Sequence, residues 1–128
     1  MHIDVHKHAK EDLERLWHDN PKAAASIMVV LEQLAADPEV IDKLTTHGDN
    51  AVGQNLISVK CWQKVRGMSN LWRFRILETP ATTYRIIYGY HWQTRQLCVF
   101  AVVEKESYDY DDLESDINKR ILADWRDL

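Results

Sequence analysis

The stretch LWRFRILETPATTYRIIYGY, residues 71–90, decides the fold class, because it contains two β-strands joined by a short connection. In LWRFRIL, residues 71–77, aromatic and aliphatic residues alternate with arginines, which is typical of a strand with one buried face. The segment TTYRIIYGYH, residues 82–91, is rich in tyrosine and isoleucine, which strands favour. The two segments predict neighbouring strands in a sheet.

The same alternation separates the side chains by face. Trp72, Phe74 and Ile76 share one face, which we expect to pack against helices. Arg73 and Arg75 lie on the opposite face, and Arg85 joins them if the two strands pair as a hairpin. We expect this arginine face to look outward, either as ordinary solvent-facing residues or as a platform for an anion.

The flanking sequence supplies the other elements of the fold. A strand is predicted at HIDVHKH, residues 2–8, and helices are predicted at residues 9–20, at 21–36 after Pro21, and around residues 40–44. The segment THGDNAVGQN, residues 46–55, is predicted to be a loop. Strands follow at LISVKCWQKV, residues 56–65, and at QLCVFAVV, residues 96–103, the latter covered on both faces. The C-terminal residues 108–128 predict a helix.

These elements predict one α+β domain over residues 1–128, in which an N-terminal strand and two helices pack on an antiparallel sheet of three to four further strands, followed by a C-terminal helix. The chain has 128 residues, of which 45% are hydrophobic and 28% charged, a mixture typical of globular proteins. Cys61 and Cys98 lie in predicted strands, and we expect free thiols in a reducing cytoplasm. No apolar run is long enough for a membrane span, and no secretory signal is expected.

The net charge of −4 conceals an uneven distribution. Residues 1–59 contain 5 basic and 10 acidic residues, and residues 104–128 contain 4 basic and 9 acidic residues. Between them, residues 60–103 contain 7 basic residues and a single acid, Glu78. This basic middle segment predicts a locally electropositive surface, although the net charge alone argues against a nucleic-acid partner.

Two other arrangements of reactive side chains carry less weight. His6 and His8 would point to one side of the first strand, as metal ligands could, but the sequence shows no third ligand and surface histidines are the better interpretation. Ser58, His91 and Asp109 contain the residue types of a hydrolase triad, although nothing in their spacing supports one.

The ordered set VRGMSNLWRFRI (65–76), YRIIYGY (84–90), LCVFAVV (97–103) and KRIL (119–122) resembles the RelE/ParE superfamily of toxins from bacterial type II toxin–antitoxin modules. The order of elements agrees over most of the chain. The resemblance implies a RelE-like fold and an mRNA interferase: a ribosome-dependent endoribonuclease that inhibits translation and is neutralised by a cognate antitoxin. Because the 2′-hydroxyl of the RNA attacks the adjacent phosphate in this family, the resemblance implies neither a metal nor a cofactor.

The resemblance also implies catalytic residues. Arg73 and Arg75 match two basic residues of the family's strand, usually lysines, and Arg85 matches an arginine of the next strand. Lys105 and Tyr110 match a basic residue and a tyrosine after the last strand; Tyr108 matches less well. Lys60, Lys64 and Arg66 are expected to bind RNA.

The proton-transfer groups stay open at this point. Guanidinium groups bind phosphate bidentately, but they stay protonated and are poor general acids and bases. Lys105, Tyr108, Tyr110 and His91 are the remaining candidates. Two other functions also stay open: a ParE-like toxin that inhibits DNA gyrase without catalysis, and a non-toxic module that only binds an antitoxin.

Overall fold

One six-stranded sheet organises residues 2–77 and 80–128, which are the residues that the computed structural model describes. Its strands are β1 (Ile3–Val5), β2 (Gly48–Val52), β3 (Asn55–Cys61), β4 (Leu71–Ile76), β5 (Tyr84–His91) and β6 (Gln96–Glu104). Across the sheet the order is β1-β6-β5-β4-β3-β2, with β1 parallel to β6 and all other neighbours antiparallel.

The helices complete the predicted α+β architecture, which is confirmed. They are α1 (Lys7–Asp19), α2 (Pro21–Ala36), α3 (Val40–Leu44) and α4 (Asp116–Arg126), with short 3-10 helices at Gln63–Val65 and Lys105–Ser107. Asn20 begins α2 by accepting a hydrogen bond from the backbone N–H of Ala23 at 3.2 Å, and Pro21 occupies the first turn, where its missing N–H costs nothing. None of the helices among the described residues is long and apolar enough to cross a membrane.

The predicted loop at residues 46–55 instead contains β2, so five strands rather than three to four follow the helices. A two-residue turn at Gly53-Gln54 joins β2 to β3, because Val52 pairs with Asn55. Gly53 has a φ of 59°, a value that residues with a Cβ rarely adopt. The strand was not predicted because only Val52 of its five residues is buried.

The first face of the sheet packs against α1, α2 and α3. Ile27, Leu34 and Leu44 are buried there, together with the predicted helix-facing residues Trp72, Phe74 and Ile76. Tyr88 points the same way, and its buried hydroxyl donates to the backbone carbonyl of Leu44 at 2.6 Å. The assignment of these strand residues to one face is therefore confirmed.

The second face is covered by the C-terminal part of the chain. Ile121 of α4 packs with Trp62, Leu71 and Ile87, and Trp125 lies so close to Gly89 that a Cβ at that position would stand 2.7 Å from the indole ring. Strand β6 is buried from Leu97 to Val103, as predicted for a strand covered on both faces. The arginine face is this second face, and it is therefore partly covered instead of open.

The short strand β1 leaves part of the edge of β6 free, and side chains from two helices cover it. Asp12 of α1 accepts from the backbone N–H of Val102 at 3.1 Å, and Arg120 of α4 donates to the carbonyl of Phe100 at 3.1 Å. Arg120 and Asp12 also pair with each other at 2.9 Å. The ion pair ties α1 to α4 around the edge of the sheet.

The first strand is shorter than predicted. It ends at Val5, and α1 begins at Lys7, so His6 and His8 lie at the start of a helix rather than on one side of a strand. The imidazole Nδ1 of His6 accepts from the backbone N–H of His8 at 3.1 Å, which satisfies a free donor of the first turn. Cys61 and Cys98 are free thiols, as predicted, and Cys98 is buried.

Candidate active site

A cleft of about 370 Å³ opens on the second face of the sheet. It is lined by Ser58, Lys60, Arg73, Phe74, Arg75, Arg85, Lys105, Tyr108 and Tyr110. Six of the eight predicted site residues therefore come together in it: Lys60, Arg73, Arg75, Arg85, Lys105 and Tyr110. We refer to this site as the cationic cleft.

Strand pairing explains why these residues converge. In the β3–β4 ladder Lys60 lies opposite Arg73, and Ser58 lies opposite Arg75. Residues directly opposite in an antiparallel pair present their side chains on the same face of the sheet. Arg85 comes from the next strand, β5, and the segment after β6 closes the other side of the cleft.

The cationic cleft is an uncompensated concentration of positive charge. Its described lining contains five lysine and arginine side chains and no carboxylate. Among the residues that the structure describes, none of these five forms an ion pair. Like charges on neighbouring strands repel one another, so this arrangement is most stable with an anion between them.

Arg85 is the most deeply placed of these cations. Only 8% of the residue is exposed, and its Nη1 donates to the backbone carbonyls of Thr82 at 2.8 Å and Tyr84 at 3.1 Å. Burial lowers the pKa of its guanidinium below its ordinary value, and the nearby charges of Arg75 and Arg73 lower this pKa further, while Tyr110 opposes them. The expectation of an outward-facing Arg85 is wrong, because the C-terminal part of the chain covers this face.

Arg73 and Tyr110 form a stacked pair at the wall of the cleft. The guanidinium carbon of Arg73 lies 4.0 Å from the centre of the Tyr110 ring, within the range of a cation–π contact. Burial raises the pKa of the Tyr110 hydroxyl, and the Arg73 guanidinium partly opposes that shift. The hydroxyl is buried without a hydrogen-bond partner among the described residues. Such unsatisfied groups are rare and often mark a functional site.

Asn118 holds this wall in place, a role that the sequence did not reveal. The side chain is fully buried, and its amide donates to the carbonyls of Asp109 and Asp112, both at 2.8 Å. Its carbonyl oxygen accepts from the hydroxyl of Tyr108. We call residues 108–112 the tyrosine segment, which Asn118 attaches to the start of α4.

Trp62 fastens the tyrosine segment to the sheet. Its indole N–H donates to the backbone carbonyl of Tyr110 at 3.0 Å, and the rings of Tyr108 and Tyr110 both meet the indole edge-on, at 6.4 and 5.8 Å. Burial also raises the pKa of Tyr108, whose hydroxyl proton is already donated to Asn118. Of the two tyrosines, Tyr110 therefore has the hydroxyl that remains free for another partner.

The other predicted residues lie outside the cationic cleft. Lys64, on the 3-10 helix after β3, lines a neighbouring depression that also contains Arg73 and Tyr110. Arg66 and His91 line a third depression, and His91 stacks on Trp125 with ring centres 4.6 Å apart. Because Ser58 lines the cleft and His91 lines that third depression, the geometry gives no support to a Ser58–His91–Asp109 triad.

Ser58 and Tyr108 are cleft residues that the predicted site set omitted. The pairing of Ser58 with Arg75 places it there, a consequence of a register that the sequence did not fix. Among residues 2–77 and 80–128, no histidine, carboxylate or thiol lines the cleft, so its described side chains suit a phosphate better than a metal ion.

Comparison of this chain with protein-family models, with curated proteins and with solved structures found no match. The chemistry of the cationic cleft is therefore the basis on which a function can be assigned.

Proposed function

We propose that the chain is a RelE-like toxin: a metal-independent, ribosome-dependent endoribonuclease that cuts messenger RNA in the cytoplasm and is held inactive by a cognate antitoxin. The observation that carries the proposal is the cationic cleft, where two tyrosines and five cations, none in an ion pair with another described residue, surround a space of about 370 Å³. The order of strands and helices agrees with the order that the sequence resemblance implies.

The cleft is suited to a phosphodiester in several ways. Guanidinium groups donate paired hydrogen bonds to phosphate oxygens, and Arg73 and Arg75 stand on one strand with the required spacing of two residues. Arg85 is fixed by its bonds to two carbonyls, so it presents a preorganised charge. Fixed charges stabilise the extra negative charge of a pentacoordinate phosphorus without reorganisation during the reaction.

The residues divide into stabilising and proton-transferring groups. Arg73, Arg75 and Arg85 stabilise charge on the phosphate oxygens while the 2′-hydroxyl attacks. Protonation of the leaving 5′-oxygen and deprotonation of the 2′-hydroxyl fall to Lys105 and Tyr110, since Tyr108 is committed to Asn118 and His91 lies elsewhere. The Tyr110 hydroxyl is protonated at physiological pH, as a tyrosine with an ordinary pKa also is, so it has a proton to donate. Burial raises this pKa and makes the hydroxyl a weaker acid.

RNA binding extends beyond the cleft in this proposal. Lys60 lies within it, and Lys64 lines the depression that continues from it along Arg73 and Tyr110. A strand of RNA with its reacting phosphate in the cleft would place neighbouring phosphates near these lysines. Arg66 lies farther along, in the depression beyond Cys61.

An apolar groove on the opposite side of the protein supports binding of an antitoxin helix. It measures about 560 Å³ between β1, α1 and α2, and Leu13, Trp17, Met28 and Leu31 contribute to its lining. Trp17 and Met28 are 44% and 37% exposed, which is unusual for such large apolar side chains. The apolar face of an amphipathic helix would cover them.

The test compares two arginine variants that remove the same charge at different places. Arg75→Gln changes a half-buried cleft residue that makes no hydrogen bond or ion pair with the other residues that the structure describes, so the fold should survive. Arg126→Gln is the matched control, because Arg126 is exposed at the end of α4. We expect Arg75→Gln to lower the rate of message cleavage in a translating extract by roughly a hundredfold, as removal of one preorganised donor does. Arg126→Gln should cleave like the parent.

Three outcomes would contradict the proposal. If Arg75→Gln cleaves messages at the parental rate, the cationic cleft takes no part in the reaction. Growth arrest with intact messages and inhibited DNA supercoiling would identify a gyrase inhibitor of the ParE type instead. Absence of both toxicity and cleavage in the parent, with stable binding to the product of a neighbouring gene, would leave a module that only binds an antitoxin.

A further inference from the structure

Three potential metal ligands meet where the start of α1 approaches the end of α4. They are His6, His8 and Asp124, and one ligand atom from each lies within 4.8 Å of the other two. Asp124 is separated from the histidines by more than a hundred residues, so the sequence alone could not bring them together. The group lies outside the cationic cleft and shares none of its residues.

The carboxylate of Asp124 is the centre of this group. Its side chain is only 9% exposed, and its Oδ2 lies 2.7 Å from Nδ1 of His8 and 3.4 Å from Nδ1 of His6. The two imidazole rings face each other with centres 4.9 Å apart. A buried carboxylate is stable only with a cation or with hydrogen-bond donors, and here both nearest partners are imidazoles.

The distances suit a first-row transition ion. Bonds of about 2.1 Å at tetrahedral angles place neighbouring ligand atoms roughly 3.4 Å apart. The His6–Asp124 separation already has that value, whereas the His8–Asp124 separation must lengthen by roughly 0.7 Å to reach the same geometry. A small rotation of the partly exposed His8 imidazole suffices for that change.

We infer that His6, His8 and Asp124 form a binding site for a divalent transition-metal ion such as Zn²⁺, with a fourth position open to water. Two imidazoles and one carboxylate are a donor set that such ions favour over Mg²⁺ or Ca²⁺, which prefer oxygen ligands. The His6 and His8 side chains are 23% and 30% exposed, so an ion can enter from solvent. This inference is independent of the proposed nuclease activity.

Metal binding would break existing hydrogen bonds of the two histidines, which weakens the affinity and lets the ion exchange with solvent. Nδ1 of His6 accepts from the backbone N–H of His8, and this hydrogen bond competes with a metal for the same lone pair. Nδ1 of His8 must likewise exchange its hydrogen bond with Asp124 for a metal bond. We therefore expect a site whose occupancy follows metal concentration, and not a permanently filled structural centre.

The bound ion would act as a clamp between two helices. His6 caps the start of α1, His8 belongs to its first turn, and Asp124 belongs to the last turns of α4. The same two helices are joined farther along by Asp12 and Arg120. A metal bond would therefore restrain α4, the helix whose Asn118 holds the tyrosine segment.

The experiment is a calorimetric titration of the tag-free full chain with zinc chloride. Two variants remove one ligand each, His8→Gln and Asp124→Asn. Two matched controls remove exposed counterparts on the same helices, His18→Gln at the end of α1 and Asp127→Asn after α4. We expect one ion per parent chain, an affinity weakened at least tenfold in both ligand variants, and parental affinity in both controls. Zinc should raise the Tm of the parent and the controls, and leave the ligand variants unchanged.

Zinc could instead bind to the thiol of Cys61, which is half-exposed, and the experiment must distinguish that site from the proposed one. A Cys61→Ser variant removes that thiol and should bind zinc like the parent. The absorption spectrum of the Co²⁺ complex is a second control, because a site made only of nitrogen and oxygen ligands shows no thiolate-to-metal band. Parental zinc affinity in His8→Gln overturns the inference, and so does loss of binding in Cys61→Ser. The absence of any zinc binding to the parent also overturns it. If Asp124→Asn fails to fold, His8→Gln alone decides, since His8 is partly exposed.

Discussion

Replacement of Asn118 by alanine should detach the wall of the cationic cleft. The side chain is fully buried and makes three hydrogen bonds to the tyrosine segment: two donated to the carbonyls of Asp109 and Asp112 and one accepted from Tyr108. Alanine keeps the helix but removes every one of these bonds. The substitution therefore tests whether a single amide organises one side of the site.

The magnitude follows from that count. Each hydrogen bond contributes about 1 kcal/mol to the free energy of unfolding, so the loss is about 3 kcal/mol. With an unfolding entropy of about 2.1 cal/mol/K per residue, the whole chain has roughly 270 cal/mol/K, and the Tm should fall by about 11 °C. Asn118→Asp keeps an acceptor for Tyr108 but turns a carboxylate oxygen towards the two carbonyls in a fully buried position, so it should destabilise the protein at least as much as alanine.

Thermal melting followed by circular dichroism measures the effect, with Lys119→Ala as the control. Lys119 is the next residue on α4, and its side chain is 60% exposed. Under the proposed function, Asn118→Ala should also weaken message cleavage by the folded protein, because Tyr110 loses its position. A Tm within about 2 °C of the parent, less than the change expected from losing one hydrogen bond, would refute the organising role of Asn118. Normal cleavage would refute the role of the tyrosine segment in the site.

Four further predictions concern stability. Arg85→Ala should lower the free energy of unfolding by about 3 kcal/mol in urea titrations, because two backbone carbonyls lose a charged donor; an unchanged urea midpoint would show that water replaces the guanidinium. Gly89→Ala should cost about 1–3 kcal/mol by the same measurement, since the new methyl group would overlap the ring of Trp125; a cost near zero would mean that the indole moves freely. Tyr88→Phe should cost about 1–2 kcal/mol through the loss of its buried hydrogen bond, and a more stable variant would contradict this. Burial raises the pKa of the Cys98 thiol from 9.0 to about 12, so the unfolded chain loses this proton at a lower pH than the folded protein does. The free energy of unfolding should therefore fall as the pH rises from 9.0 towards 12, and urea titrations at each pH should show a weaker fall for Cys98→Ala.

The alternation of residues along β4 and β5 was enough to predict which side chains share a face. Trp72 and Phe74 had to be buried, and Arg73, Arg75 and Arg85 had to lie opposite them. The burial of Arg85 was beyond prediction, because it depends on a segment that returns from the far end of the chain. Asn118 fixes the position of this segment through its buried hydrogen bonds, and the sequence pattern around Asn118 does not indicate them.

The missed strand β2 has a different explanation. Its sequence GDNAV has few residues with a preference for strands, and it forms because it pairs with β3 across a tight turn. A usable signal was present, since glycine at the first position of a two-residue turn is typical of hairpins. The metal-ligand group at His6 and His8 offered no comparable signal, because its third member, Asp124, is near the end of the sequence.

The pairing of β1 with β6 has a consequence for the synthesis of the protein. Ile3 pairs with Leu97, so β1 cannot join the sheet until synthesis has passed Leu97. At about 5–20 residues per second, the nascent chain waits several seconds with α1 unanchored. The tyrosine segment and Asn118 emerge later still. A nascent chain therefore lacks a complete cationic cleft until synthesis has passed Asn118.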